Sequence, residues 1–344
     1  MKDLIKKLSE MRAVSGFEHR INREIQEMLL PYCDEVGIDA LGNVIGVKYC
    51  GIERAKKLLL EAHIDEIGLM VKNIDENGFI TVVNVGGVDT RILPAMEVII
   101  HGKRDIKGVI GAKPPHIMSE GESEKAVKME DLAIDTGLMA EEVKRLVSVG
   151  DSITFFTEAK ALADGQLTGK SLDDRASVAA LIKVMENLSD KQLTADIYVV
   201  LATKEEVGGF GAMTATFSIV PDFAIAIDVC HGITPDNSYD AYEVGDGAII
   251  TCGPNIHPAI FERLVNTAKK HNIKFKIDVD GGNTGTDAWQ IQVVKEGIPT
   301  GLLSIPLKYM HTLVETIKVS DVEAVCDLVT AFADELSEEE WICC

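Results

Sequence analysis

Four short apolar runs, Leu58–Ala62, Ile197–Ala202, Phe223–Ile227 and Thr300–Ile305, set the strongest limit on how this chain can fold. Each is mostly apolar along its length, the pattern of a strand buried on both faces rather than one with a wet side. Helical patterns alternate with them at Arg175–Leu188, Pro258–His271, Asp287–Glu296 and Ser320–Leu336, with strand-like Lys274–Ile277 among them. Helices alternating with buried strands predict an α/β fold, a mixed sheet flanked by helices on both faces.

The chain enters this region through two helical patterns, Lys2–Met11 and Glu18–Leu30, broken at Ser15-Gly16 and closed by Pro31, and through a hydrophobic stretch, Asn43–Val47. Between Leu69 and Leu162 the texture differs. Short β-rich runs (Phe79–Val83, Glu97–His101, Gly108–Ile110, Ser152–Phe156) alternate with glycine turns, and only Ala140–Leu146 reads as helical. We therefore expect a discontinuous α/β domain over residues 1–68 and 163–344, interrupted by an inserted, mostly β domain over 69–162. The 344 residues suffice for this division.

A formal net charge of −21 disfavours nucleic acid and anionic membrane as partners. The apolar stretch of the first helical pattern is too broken for a signal peptide, and no run approaches transmembrane length, so a cytoplasmic protein is expected. The seven cysteines have no framework spacing, and Cys33, Cys50, Cys230 and Cys252 read as reduced thiols. The terminal pair Cys343–Cys344 follows an acidic stretch, Glu335–Glu340, which argues against a lipid anchor.

His63, Glu205-Glu206, Asp228 and His311 all follow or end one of the buried runs, and Asp173 lies just before a helix. In open α/β sheets, sites gather beyond the carboxyl ends of the strands, so these distant segments can converge. Three carboxylates (Asp173, Glu206, Asp228) crowded into one cleft would repel one another and partly protonate. Two divalent cations would bring four positive charges. Two histidines with three carboxylates suit Zn²⁺ or Co²⁺ and are too nitrogen-rich for a Ca²⁺ or Mg²⁺ cage. Asp173 is the candidate to bridge the ions. Asp65, two residues beyond His63, shares its face in an extended segment and can accept its imidazole N–H. Of Glu205 and Glu206, one can bind metal while the other stays free as a base. Singly, each has an ordinary reading: a structural histidine, a helix N-cap at Asp173, a turn residue at Asp228, a solvated pair at Glu205-Glu206. Five such groups on one rim shift the balance to a metal centre. Arg175 reads as a supporting partner of a carboxylate or as a helix-start ion pair.

These residues sit in Asp39–Ile45 (DALGNVI), Glu61–Val71 (EAHIDEIGLMV), Gly108–His116 (GVIGAKPPH), Gly169–Arg175 (GKSLDDR), Thr203–Gly211 (TKEEVGGFG), Ala226–Val229 (AIDV) and Ser304–Glu315 (SIPLKYMHTLVE). Together the segments resemble the tetrahedral aminopeptidases, also called glutamyl or deblocking aminopeptidases, some of whose relatives are labelled cellulase M. The likeness runs over nearly the whole chain. It implies a zinc-peptidase-like catalytic domain, with His63 and Asp228 as terminal ligands on one side, Asp173 bridging, and Glu206 and His311 completing the two sites. It also implies Glu205 as general base and Asp65 as the partner of His63. The β-rich insertion would dimerise, and dimers would assemble into a hollow twelve-subunit tetrahedron admitting unfolded peptides, although some relatives stop at dimers. The loop Gly281–Gly285 departs from the family's shorter form. Asp287 after it reads first as an N-cap and second as a substrate contact.

The expected reaction is removal of the first residue from short peptides. The α-amine would sit near one metal and the scissile carbonyl on the other, and Glu205 would take the proton of the attacking water and return it to the leaving amine. A related metal-dependent carboxypeptidase or deacylase is the nearest alternative. An endoglucanase would need two carboxyls flanking a sugar bond, which adjacent Glu205 and Glu206 match poorly. A non-enzymatic assembly protein would need no complete ligand set.

Overall fold

The computed structural model describes residues 1–118 and 126–336; Cys343–Cys344 and residues 337–340 of the acidic stretch lie outside them. The chain opens with helices α1 (Lys2–Glu10) and α2 (Asn22–Leu29), then strands β1 (Glu35–Ile38), β2 (Val44–Lys48) and β3 (Lys56–His63). Strands β4 (Gly68–Ile74), β5 (Ile80–Val85), β6 (Glu97–His101), β7 (Asp105–Ile110), β8 (Ile134–Asp135) and β9 (Ser152–Phe155) follow, with helix α3 (Ala140–Leu146) before the last. Short strands β10 (Lys160–Ala161) and β11 (Gln166–Gly169) lead into helix α4 (Leu172–Leu188). The remainder runs β12 (Ala195–Ala202), α5 (Phe210–Ile219), β13 (Phe223–His231), β14 (Ala248–Cys252), α6 (Pro258–Lys270), β15 (Phe275–Val279), α7 (Asp287–Ile291), β16 (Thr300–Leu307), β17 (Glu315–Lys318) and α8 (Val319–Asp334).

Eight strands form one mixed sheet in the order β1-β2-β12-β3-β13-β16-β14-β15. The middle four, β12, β3, β13 and β16, are parallel. Leu58, Leu60 and Ala62 of β3 belong to the larger core beneath α4 and α8, whereas Leu59 belongs to the core shared with Ala212 and Ala215 of α5 and Ile291 of α7. The two-residue period of the strand thus feeds both faces, and each fully buried leucine contributes about 1.5–3 kcal/mol. Helix α4 is buried almost all round, which explains why its sequence lacks a clean polar stripe.

The β-rich stretch closes a separate six-stranded barrel, β4-β5-β8-β7-β6-β9, around Leu69, Ile80, Val98, Ile100, Ile134 and Ile153. Closure satisfies strand edges that would otherwise be exposed. Strands β10, β11 and β17 make a third small sheet. Among the described residues no helix is long and apolar enough to cross a membrane. Cys33, Cys50, Cys230, Cys252 and Cys326 form no disulfide.

Several local expectations change. The pattern at Glu18–Leu30 splits into a 3-10 turn, Glu18–Arg20, and α2, because the Glu18 carboxylate turns inward to accept the N–H groups of Gly16 and Lys204. Helix α7 ends at Ile291, well short of Glu296, and irregular turns lead through Gly297 to Pro299. Strand β13 runs on past Ile227 to His231, and β16 past Ile305 to Leu307, each held by the other's register.

Asn43 locks the entrance of the sheet to the segment after β12. Its amide donates to Asp39 Oδ2 at 2.7 Å and to the Gly211 carbonyl at 3.0 Å, and its oxygen accepts the Thr203 N–H at 2.9 Å. Asn43→Ala strands buried polar groups and is expected to cost about 1–3 kcal/mol in urea unfolding; a loss within about 0.5 kcal/mol, as for an ordinary surface change, would show that this bracket is not structural.

Candidate metal centre

The four parallel strands end on one rim, and the candidate side chains gather there. His63 is the last residue of β3 and lies in register with Ala202, the last of β12. Glu205 and Glu206 come just after that strand. Asp228 pairs with Ser304 across β13 and β16. Asp173 lies at the distorted start of α4, where it and Asp174 leave helical geometry and the bond between them is cis. Four non-glycine residues at this rim adopt left-handed backbone: Ser171 (φ 54°), Lys204 (φ 61°), Tyr309 (φ 60°) and His311 (φ 60°). Such residues are uncommon, and here each turns a segment that carries a candidate ligand.

The two carboxylate oxygens of Asp173 face different histidines. Oδ1 lies 3.2 Å from His63 Nε2 and Oδ2 lies 3.4 Å from His311 Nε2. Glu206 Oε2 is also 3.4 Å from His311 Nε2. A tetrahedral ion with ligands at about 2.0–2.1 Å sets them about 3.3–3.4 Å apart, so these separations fit atoms that share a cation. Ligand atoms of His63, Asp173 and Glu206 lie within 4.8 Å of one another, and so do those of His63, Asp174 and Asp228. Glu205 belongs to neither group; its Oε2 is 3.9 Å from His63 Nε2, and it faces the cavity described below.

A frame of acceptors holds these groups. The Gly87 carbonyl, on the loop after β5, is 3.1 Å from His311 Nδ1. A carbonyl can only accept, so it fixes the proton on Nδ1 and leaves the Nε2 lone pair toward Asp173 and Glu206. Glu315 accepts the N–H groups of Leu172 (2.7 Å), Asp173 (3.2 Å) and His311 (3.0 Å), tying the bridging candidate to the histidine. Asp65 lies beside the His63 ring and also supports the glutamate pair. Its oxygens accept the N–H groups of Glu205 and Glu206 at 3.1 and 3.2 Å, while its distance to His63 Nδ1 is 3.6 Å, longer than a hydrogen bond. It orients the glutamate pair directly and faces the His63 imidazole, whose charged form it favours.

Glu315 and Asp174 had no assigned role. A glutamate four residues past a histidine carries no periodic signal, although Glu315 does lie inside a resembling segment. Asp174 accepts the His63 N–H with one oxygen and leaves the other buried without a partner. Asp287 is no N-cap. It is the first residue of α7, makes no capping bond, and is buried with its carboxyl against that of Glu61. Burial, eased by Glu61 and His63, lifts its carboxyl to about 6. Arg175 makes no ion pair among the described residues; fully buried, it donates to the Leu8 carbonyl at 2.8 Å, and its Nε and Nη2 have no partner.

Electrostatics sharpen the picture. Burial, together with the charge of Asp173, raises Glu206 to about 8, and burial raises Glu205 to about 9. Burial and the charge of Asp228 raise Asp174 well above the carboxylate range. Asp173 is the exception: burial opposes its charge, but His311 and His63 hold it low. His311 is the converse, raised to about 10 because Asp173 and Glu206 outweigh burial. No lysine or arginine lines the cleft. Carboxylates packed without cations, and orphaned buried oxygens among them, are what a bound divalent ion would satisfy. The cleft opens into a cavity of about 640 Å³ whose wall includes Gly281, Thr284 and Gly285 of the glycine-rich loop.

The sequence profile described as M42 glutamyl aminopeptidase matches residues 42–328. The chain is 35% identical over 343 residues to the lysyl aminopeptidase of Pyrococcus furiosus, covering 97% of each. Its fold superposes on the aminopeptidase APDkam598 from the archaeon Desulfurococcus kamchatkensis with a TM-score of 0.91 at 36% identity, covering 98% of this chain and 96% of that one. On the TET1 peptidase of Pyrococcus horikoshii, described as able to assemble into a tetrahedron or a large octahedral shell, the TM-score is 0.86 at 31% identity, covering 97% and 99%.

The geometry makes Glu315 the residue that holds Asp173 and His311 in mutual position. Glu315→Gln turns an amide N–H toward one of the donors it now accepts, and is expected to weaken divalent-cation binding about 10–100-fold in chelator competition. Unchanged affinity would show that the backbone holds these groups without it.

Proposed function

The chain belongs to the M42 glutamyl aminopeptidase family, and on that premise we propose that it removes the first residue of peptides with a free α-amine by means of two divalent ions, Zn²⁺ or Co²⁺. The observation that carries this reading is the placement of the two Asp173 oxygens against two different histidines. In this reading Asp173 would be shared by the two ions, His63 and Asp228 would hold one, and Glu206 and His311 would hold the other. Asp174, whose Oδ1 is buried without a partner beside His63 and Asp228, supports the first position. Ions so held supply Lewis-acid polarisation of the scissile carbonyl and charge to stabilise its oxyanion.

Glu205 is the general base. It stands outside both groups of ligand atoms yet lines the cavity, and Asp65 fixes its backbone. Its carboxylate takes a proton from the attacking water and returns it to the departing amine. Glu206, 3.4 Å from His311, is committed as a ligand, so only one glutamate of the pair is free. That counts against an endoglucanase, which needs two flanking carboxyls about 5 Å or more apart. A carboxypeptidase or deacylase on the same centre would accept N-blocked substrates and is separated by experiment.

We assign the chemistry to residues 1–68 and 163–344, and dimerisation to 69–162, where Phe79, Val109, Ile117 and Met139 leave apolar surface exposed. Dimers would build a twelve-subunit tetrahedron that admits short or unfolded peptides, as a cytoplasmic enzyme with neither nucleic acid nor membrane as a partner.

Glu205→Gln is expected to keep its metal content and lose about 10²–10⁴-fold in kcat; full activity would remove Glu205 from the chemistry. Free peptides should be cleaved after Zn²⁺ or Co²⁺ loading and not after EDTA, while their N-acetylated twins resist; cleavage of the twins would favour the deacylase reading. Metal uptake should release protons and weaken as pH falls, first through His311, raised to about 10, and more steeply below about 8 through Glu206, raised to about 8, because both must shed protons to ligate. Affinity independent of pH in chelator competition would contradict this ligand set.

A further inference from the structure

We infer that the enzyme prefers peptides whose first residue is basic, lysine or arginine, and that Asp278 is the residue that selects it; the inference rests on the aminopeptidase reading above. The cavity of about 640 Å³ begins at Asp173, Glu206 and His311 and extends across the sheet face made by β13, β16, β14 and β15, where Asp228, Leu302, Thr251 and Asp278 line it. Its far wall is built from Cys230, Tyr242, Thr251 and Asp278, with Asp240 and Asp280 beside them. A substrate with its reacting end at the metal ligands has this wall as the surface its first side chain can reach.

Asp278 is held for recognition rather than neutralised. Its Oδ1 accepts the Tyr242 hydroxyl at 2.7 Å and its Oδ2 accepts the Thr251 hydroxyl at 3.3 Å. Both donors are neutral. Among the described residues no ion pair reaches Asp278, and no lysine or arginine lines the cavity, so the carboxyl has no cationic partner there. Two hydroxyls fix the carboxylate's orientation without spending its charge, as a preorganised acceptor requires.

A second observation points the same way. Ser304 is only 3% exposed, lines the cavity, and its hydroxyl has no partner among the described residues. The two-residue period of β16 places it with Leu302 on the face that carries Asp228 and Cys230 on β13, all four lining the cavity. A hydroxyl on a cavity wall is open to a ligand's N–H donor. An ammonium or guanidinium group would give Asp278 its charge partner and offer N–H donors to neutral oxygens nearby. A glutamyl side chain would meet like charge. A leucyl side chain would desolvate Asp278 with nothing in return. The wall is therefore selective by exclusion as much as by attraction.

The test is kcat/KM of the metal-loaded enzyme on Lys-, Arg-, Leu- and Glu-p-nitroanilide, with the binding of lysinamide and leucinamide measured by calorimetry in parallel. Lys and Arg should exceed Leu by about tenfold or more, with Glu last. Asp278→Asn should lower the Lys-to-Leu ratio about tenfold or more, chiefly through KM, and lower the lysinamide-to-leucinamide affinity ratio with it. Turnover that favours Glu or Leu over Lys in the unsubstituted enzyme overturns the inference and leaves the aminopeptidase reading standing. An Asp278→Asn loss equal for every substrate also overturns it, by showing a merely structural role. If no anilide is cleaved while lysinamide still binds more tightly through Asp278, the pocket stands and the aminopeptidase reading falls.

Discussion

The centre depends on one carboxylate that two histidines share. Asp173 keeps a low pKa in a site where burial raises Glu205, Glu206, Asp174 and Asp228, because each of its oxygens has an imidazole opposite. That arrangement explains its neighbours. The histidines are 3.2 and 3.4 Å away, close enough to share ligands and too few to balance the remaining acids. A protein that packs this many carboxylates at the rim of its sheet spends stability unless cations arrive. Metal binding and the integrity of the rim are then one equilibrium, not two.

The sheet makes such a centre possible. Parallel strands β12, β3, β13 and β16 bring His63, the Glu205-Glu206 turn, Asp228 and the His311 loop to one edge from positions far apart in sequence. What fixes the side chains is a ring of backbone-to-carboxylate bonds rather than side-chain pairs. Asp65 holds the glutamate turn, Glu18 holds Lys204 before it, and Glu315 holds both Asp173 and His311. The barrel region contributes through the Gly87 carbonyl, which sets the tautomer of a candidate ligand. Beyond the candidate ligands, the cavity continues across the same sheet to Thr251 and Asp278.

Much of this architecture is legible in the sequence because burial on both faces leaves a plain mark. The apolar runs at Leu58–Ala62 and Ile197–Ala202 locate central strands to within a residue or two, and glycine-punctuated short runs mark the barrel. Helix α5 escapes notice because Phe210–Ile219 mixes small, polar and apolar residues without an amphipathic period. The side chains at the strand ends were identifiable by type and place, and the structure brings them together. Their supports were not identifiable, since Glu315 and Glu18 act through backbone N–H groups whose positions only the fold defines. Asp287 illustrates the opposite error: at a helix start an aspartate looks like a cap, and only packing reveals that it is buried against Glu61.

The central claim is that Asp173 sits between two cation positions. Its most direct test is the number of divalent ions bound per chain, by elemental analysis after loading with Zn²⁺ or Co²⁺ and removal of excess. The account predicts two per chain, falling to one or none in Asp173→Asn. A single ion in the unsubstituted protein, or two retained in Asp173→Asn, would contradict it.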